Sequence, residues 1–129
     1  IEESARQETL MQSNHLYLCG GTRLNLQHPI HQLLHSVYRA TLTRTRDFPL
    51  FEQVIKIVSF EEIESRHLTL QHKRGLCRFM EEALCNAGKY AEGMTRLEVS
   101  CKLQNGWTII RVADDGIGIK VASSQRGYG

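Results

Sequence analysis

The stretch that decides the fold is residues 73–118, which read KRGLCRFMEEALCNAGKYAEGMTRLEVSCKLQNGWTIIRVADDGIG. In its first part, Leu76, Met80 and Leu84 recur every four residues, which is typical of an amphipathic helix. Three alanines extend the same apolar face, namely Ala83, Ala87 and Ala91. Gly93 stands just beyond this pattern as a stop signal. The spacing therefore predicts a long helix over about 73–91.

A hairpin and an acidic loop follow the predicted helix. Residues 97–103 alternate apolar and polar side chains, and Asn105-Gly106 is a strong turn because both residues tolerate positive φ. The returning strand, residues 107–113, runs directly into Asp114-Asp115-Gly116-Ile117-Gly118. The two glycines of that loop allow the backbone to turn tightly beside a ligand.

The remaining residues give weaker signals. Residues 1–23 are polar, so we expect a lead-in whose helical part, if it has one, ends near Cys19 before the Gly-Gly break. A second amphipathic helix is predicted over about 29–45. Residues 54–60 are rich in β-branched side chains and predict a strand, and residues 68–70 suggest a short extended piece. A glutamate-rich loop, residues 61–66, lies between them.

Composition excludes several functional classes. The chain has 129 residues, is 41% hydrophobic and 23% charged, and carries a net charge of +2 with no basic tract for nucleic-acid binding. It shows no membrane span and no secretion signal, and its cysteines form no C-x-x-C pair, so we expect a cytoplasmic domain with reduced thiols. The start at Ile1 and the end at Gly129 suggest a piece of a longer protein.

One face of the long helix carries Glu82, Asn86 and Lys89, spaced four and three residues apart. Taken alone, this pattern is more typical of a solvated helix face than of a site. The Asp-x-Gly-x-Gly loop is also weak alone, because many strand-to-loop junctions use these residues.

Taken together, the two segments resemble a known family. Residues 82–91 resemble the N box of the GHKL ATPases, and residues 114–118 resemble their first glycine box. They occur in the family's order with a hairpin between them, and Gly127-Tyr128-Gly129 stands where the second glycine box would open. The resemblance covers about residues 45–129 and implies a Bergerat-type fold whose C-terminal part is missing.

The subfamily follows from the resemblance as well. The hydrolases of this superfamily typically carry Asp three residues after the asparagine that corresponds to Asn86. This chain has Lys89 there, as the kinases do. The short interval between Gly118 and Gly127 implies a short ATP lid, similar to sensor histidine kinases related to nitrate sensors. Residues 75–86 are most similar to a cyanobacterial branch of that group.

The resemblance implies a role for each site residue. Asn86 would give its side-chain oxygen to Mg²⁺, and Asp114 would accept a hydrogen bond from the adenine amine, which favours ATP over GTP. Glu82 would be the catalytic residue that polarises the phosphoacceptor or a water; the alternative is a surface carboxylate paired with Arg78. The remaining nucleotide-binding positions implied are Lys89, Tyr90, Gly116, Gly118, Gly127 and Gly129.

Three departures and alternatives accompany these roles. Asp115 stands where many kinases have Asn and adds negative charge beside the adenine site. Gly88 is unusual inside a helix, and we interpret it as permitting close approach of a ligand or backbone. His28, His31 and His35 share a spacing that suits a metal, although no carboxylate or cysteine completes the set.

The sequence thus predicts an α+β two-layer sandwich, with helices on one face of a mixed sheet. Residues 1–46 would lead toward a dimerisation and phosphoacceptor domain outside this chain, and residues 47–129 would bind Mg-ATP. The γ-phosphoryl would pass to a histidine there and then to a response regulator, in a homodimeric protein that binds no nucleic acid. The alternatives are a non-catalytic nucleotide-sensing or interaction module, an anti-sigma-type serine kinase and an ATP hydrolase.

Overall fold

The fold is described by a computed structural model covering residues 14–116 and 118–125. In this part of the chain, two α-helices lie against a mixed four-stranded sheet, and a small two-stranded hairpin precedes them. The predicted α+β two-layer architecture is confirmed. The elements are β1 His15–Tyr17, β2 Arg23–Asn25, α1 Ile30–Leu42, a 3-10 helix Pro49–Phe51, β3 Ile55–Phe60, α2 Leu70–Tyr90, β4 Arg96–Gln104, β5 Trp107–Asp114 and β6 Gly118–Gln125.

The four-stranded sheet has the order β3-β4-β5-β6. β3 runs parallel to β4, whereas β4, β5 and β6 are joined antiparallel. The predicted hairpin is confirmed: Asn105 and Gly106 adopt φ of 52° and 82° at its turn. Alternate residues of β4 and β5 form the buried face of the sheet, namely Leu97, Val99, Cys101, Ile110 and Val112.

The long helix α2 begins earlier than its apolar pattern predicts. The Thr69 hydroxyl accepts the backbone N–H of His72 at 3.0 Å, so Thr69 caps the helix and Leu70 is its first residue. The expected extended piece at residues 68–70 is therefore wrong, because a β-branched threonine at that place serves as a cap. Lys89 lies in the last turn, where the helix dipole favours a cation.

The lead-in contains a hairpin where the sequence analysis allowed only for helix. β1 and β2 pair antiparallel, with Leu16 opposite Leu24. The physical reason is a two-residue alternation that flanks the Gly20-Gly21 turn and buries four leucines. These are Leu16, Leu18, Leu24 and Leu26, each no more than 7% exposed.

The segment after the acidic loop also differs from expectation. The interval that the sequence assigns to a short ATP lid is strand β6, which pairs with the whole of β5. Without β6, β5 would be an edge strand with unpaired N–H and C=O groups. β6 supplies the hydrogen-bond partners of these groups. The prediction of a short lid is therefore wrong within residues 118–125.

Both helices contribute to one hydrophobic core. α1 buries Ile30, Leu33, Leu34 and Val37 and packs against α2. The core also takes in the β1–β2 hairpin and the 3-10 helix. Within the described residues, no helix combines the length and apolar character that crossing a bilayer requires.

Gly88 is explained by aromatic packing. A Cβ built on this residue would lie 2.8 Å from ring atoms of both Phe48 and Phe51, and 2.9 Å from the Phe48 Cβ. The two rings pack edge to face with their centroids 6.0 Å apart, and both side chains are almost fully buried. The close approach at Gly88 is therefore that of two phenylalanine side chains, not of the ligand or backbone that the sequence analysis expected.

Two matched substitutions in α2 test this packing. Gly88→Ala should lower the free energy of unfolding by about 1 kcal/mol or more, because the overlap with the rings outweighs the gain in helix propensity. Gly75→Ala adds the same methyl where no atom lies within 4 Å, and should raise stability by about 0.5–1 kcal/mol. Urea denaturation measures both, and equal effects of the two changes would contradict the packing argument.

Candidate functional site

Three of the predicted site residues line one open cavity of about 680 Å³. Glu82, Asn86 and Lys89 form one wall from successive turns of α2. The facing wall comes from the segment that follows α1, residues 44–48, and from the β1–β2 turn. The helix face that the sequence singled out is therefore the wall of a concave site.

The donor atoms in this wall suit a magnesium ion that is shared with a ligand. Asn86 is half-buried and Glu82 is exposed, and both offer oxygen atoms, which are the ligands that Mg²⁺ takes. Among the described residues, no group of three or more His, Cys, Asp or Glu side chains could hold a metal.

Glu81 is a residue of this cavity that the sequence analysis did not single out. It is only 4% exposed, and its carboxylate accepts the backbone N–H of Cys19 at 2.8 Å. It also forms an ion pair with Arg78 at 3.3 Å. Glu81 thus connects the β1–β2 turn to α2, which fixes one corner of the cavity.

The partner of Arg78 differs from the alternative that the sequence allowed. Arg78 pairs with Glu81, three residues ahead, and no ion pair joins it to Glu82 within the described residues. Both spacings bring side chains together on a helix, so sequence alone could not choose between them. Burial decides, because the charge of Glu81 needs a partner more than that of the exposed Glu82.

The cavity is lined by three cations and three carboxylates, namely Arg44, Arg78, Lys89, Asp47, Glu81 and Glu82. The Arg44 guanidinium pairs with Asp47 at 2.8 Å and lies 4.9 Å from the centre of the Phe48 ring. Lys89 lines the same cavity and is exposed. In the described part of the chain, no ion pair occupies the Lys89 ammonium, so the cavity offers a positive charge to an anionic ligand.

Asp114 lies apart from this cavity. It is the last residue of β5 and lines a smaller cavity of about 250 Å³, together with Arg96, Glu98 and Arg111. Its Oδ1 accepts the backbone N–H of Gly116 at 2.7 Å. The structure therefore brings Glu82, Asn86 and Lys89 together but places Asp114 in a separate cavity, on the face of β4 and β5 that points away from the core.

The glycine positions of the acidic loop serve packing. A Cβ on Gly116 would lie 3.0 Å from the Cβ of Ala91, the residue that caps the end of α2. Gly118 begins β6 and pairs with Asp114 in the sheet register.

Tyr90, predicted to pack beside a nucleotide, is 66% exposed at the end of α2. The predicted positions Gly127 and Gly129 lie outside the described residues.

Asp115 has a structural task. Its carboxylate accepts hydrogen bonds from the hydroxyl of Thr95 and, at 2.8 Å, from the backbone N–H of the same residue. It also accepts a hydrogen bond from the backbone N–H of Arg96 at 3.2 Å. These bonds, first of all that from the Thr95 hydroxyl, lower the pKa of Asp115. The acidic loop is thus fastened to the start of β4, which accounts for the carboxylate at this position.

The three histidines considered for a metal have other surroundings. His31 accepts the backbone N–H of Ile63 at 3.3 Å through Nδ1, and the ring of His35 packs 5.5 Å from that of Phe60. His28 precedes α1, and its carbonyl accepts the ammonium of the buried Lys73 at 2.9 Å. These contacts explain the residues through local packing.

Comparison with known proteins adds no assignment: no protein-family model matches the chain, and no curated protein matches it.

The Asp115 bonds predict a pH-dependent stability difference. Because folding lowers the pKa of Asp115, its contribution is fully present above the pKa of the unfolded chain and is lost as the pH falls toward the lower folded value. Asp115→Asn should therefore lower the urea midpoint near neutral pH, and the difference from the wild type should shrink in acid. A difference that stays constant into the acid range would contradict this role.

Proposed function

We propose that this chain binds Mg-ATP as the catalytic domain of a sensor histidine kinase. The observation that carries the proposal is the 680 Å³ cavity in which Asn86, Glu82 and Lys89 face Arg44. A concave site lined by two side chains that offer oxygen donors and by the ammonium of Lys89 suits a polyphosphate bound with a divalent cation. The resemblance of residues 82–91 and 114–118 to the two nucleotide-binding boxes gives the same ligand.

The phosphates would lie against α2. Lys89 supplies a point charge in the last helical turn, and Arg44 adds a second cation across the cavity. Asn86 would hold Mg²⁺, with Glu82 one turn away, and the ion would neutralise charge on the phosphates when bound. The carboxamide and the exposed carboxylate fit this purpose because neither is consumed in another described hydrogen bond.

The adenine would lie toward Asp114. A carboxylate accepts hydrogen bonds and cannot donate them, so it selects the exocyclic amine of adenine over the carbonyl of guanine. The hydrogen bond from the Gly116 N–H to Oδ1 orients the Asp114 side chain at the end of β5. We therefore propose that the adenine lies against the Asp114 carboxylate at the end of β5.

The proposed reaction is transfer of the γ-phosphoryl group to a histidine on another domain. The protein's part is to position the phosphate and the acceptor in line, and Glu82 would polarise the acceptor. The recipient of the phosphoryl group would be a response regulator, and the kinase would act as a homodimer in the cytoplasm. No nucleic acid enters this scheme.

A second candidate is a non-catalytic nucleotide-sensing or interaction module. The observation that favours it is the separation of Asp114 from Asn86 into two cavities. In such a module the packing of the fold is kept while the ligand does not bridge both groups. Nucleotide selectivity distinguishes the two functions, because only a bridging ligand needs both residues.

Calorimetric titration with Mg-ATP and Mg-GTP tests the proposal. We expect the chain to bind Mg-ATP and to bind Mg-GTP at least about tenfold more weakly, a difference of about 1.4 kcal/mol. Asn86→Ala should weaken Mg-ATP binding about tenfold or more through the lost metal ligand. Asp114→Asn should reduce the preference for ATP, since the carboxamide also donates hydrogen bonds.

Gln71→Ala is the matched control, because it removes a carboxamide from an exposed position of the same helix, outside the cavity lining. It should bind Mg-ATP like the wild type. A folded chain that binds neither nucleotide would refute the kinase proposal. Binding without preference for ATP would support the interaction module instead.

A further inference from the structure

Two of the four cysteines lie in the wall of the 680 Å³ cavity. Cys19, in the β1–β2 turn, is exposed, and Cys85, on α2, is half-buried. They face the same space from two different elements, although they are far apart in the sequence. None of the roles discussed above uses either thiol.

The geometry around Glu81 brings these two elements together. The Glu81 carboxylate accepts the Cys19 N–H at 2.8 Å, and Cys85 follows Glu81 by one helical turn. Side chains four residues apart on a helix have Cβ atoms separated by roughly 5–6 Å. The turn that carries Cys19 therefore lies beside the helical turn that carries Cys85.

The two thiols differ in accessibility. Cys19 is exposed and Cys85 is half-buried, so Cys19 is the thiol that a small disulfide reaches first.

The other two cysteines are isolated in the core. Cys77 and Cys101 are fully buried, and burial raises the pKa of each to about 12. Their thiols stay protonated and inaccessible at neutral pH. They provide internal controls within the same chain.

We propose that Cys19 and Cys85 form a redox-active thiol pair that is oxidised by low-molecular-weight disulfides. The Cys19 thiolate attacks one sulfur of the small disulfide, whose S–S bond breaks and releases one thiolate, which takes up a proton. The Cys85 thiolate then attacks the Cys19 sulfur and displaces the second small thiol. The protein loses two electrons and two protons, and the small disulfide is reduced to two thiols.

The turn that carries Cys19 is suited to this exchange. Gly20 and Gly21 follow the cysteine, and Gly21 adopts a φ of +95°, which side chains disfavour. A disulfide needs its Cα atoms within about 7 Å, so the glycine turn would adjust while α2 stays fixed. The new bond would bridge one corner of the cavity, and its effect on Mg-ATP affinity rests on the proposed function.

Alkylation and mass spectrometry test the pair in the full chain without nucleotide. The folded protein is incubated with oxidised glutathione and then unfolded in N-ethylmaleimide. We expect the wild type to keep two alkylated thiols, Cys77 and Cys101, and to yield a peptide that joins Cys19 to Cys85. In Cys85→Ser, glutathione should stay attached to Cys19, and in Cys19→Ser the reaction should slow at least about tenfold.

Cys85→Ala repeats the test in case the serine disturbs the half-buried position, and circular dichroism confirms that each variant is folded. A wild-type chain that keeps glutathione on Cys19, or a linkage to Cys77 or Cys101, would overturn the proposal. Titration of the reduced and oxidised chain with Mg-ATP distinguishes a failure of the thiol-pair proposal from a failure of the kinase proposal. A cross-linked chain that binds no Mg-ATP in either state would support the thiol pair and refute the kinase function.

Discussion

The close contact of Phe48 and Phe51 with the helix at Gly88 is the constraint on which the rest of this structure depends. It holds the segment after α1 against α2 at a distance at which a Cβ on residue 88 would overlap both rings. Because Arg44 and Asp47 precede this contact, they are brought opposite Asn86 and Lys89. The width of the cavity is therefore set by apolar packing just beneath it.

The polar side of the cavity is fixed independently. Glu81 accepts a hydrogen bond from the β1–β2 turn and pairs with Arg78, so that a buried charge is compensated at two points. Rigid support of this kind is what positions functional side chains to within fractions of an ångström. The candidate site thus combines the aromatic contact of Phe48 and Phe51 on one wall with the hydrogen bond and ion pair of Glu81 on the other.

Much of this was accessible from sequence, for identifiable reasons. The four-residue spacing of Leu76, Met80 and Leu84 predicts α2, and Asn105-Gly106 predicts the hairpin, because both signals are local. The cavity face of α2 also follows from spacing. The pairing of β1 with β2, the choice of Glu81 by Arg78 and the separation of Asp114 depend on burial and on contacts between distant residues, which no local pattern contains.

The order of the sheet also has a kinetic consequence. β4, β5 and β6 pair with their neighbours in sequence, whereas β3 reaches β4 only after the whole of α2 has crossed between them. Contacts between residues close in sequence form before those that close long loops. A chain that has folded only β4 to β6 has formed the acidic loop at Asp114 but none of the elements that line the 680 Å³ cavity. We therefore expect the cavity to form after this antiparallel part of the sheet.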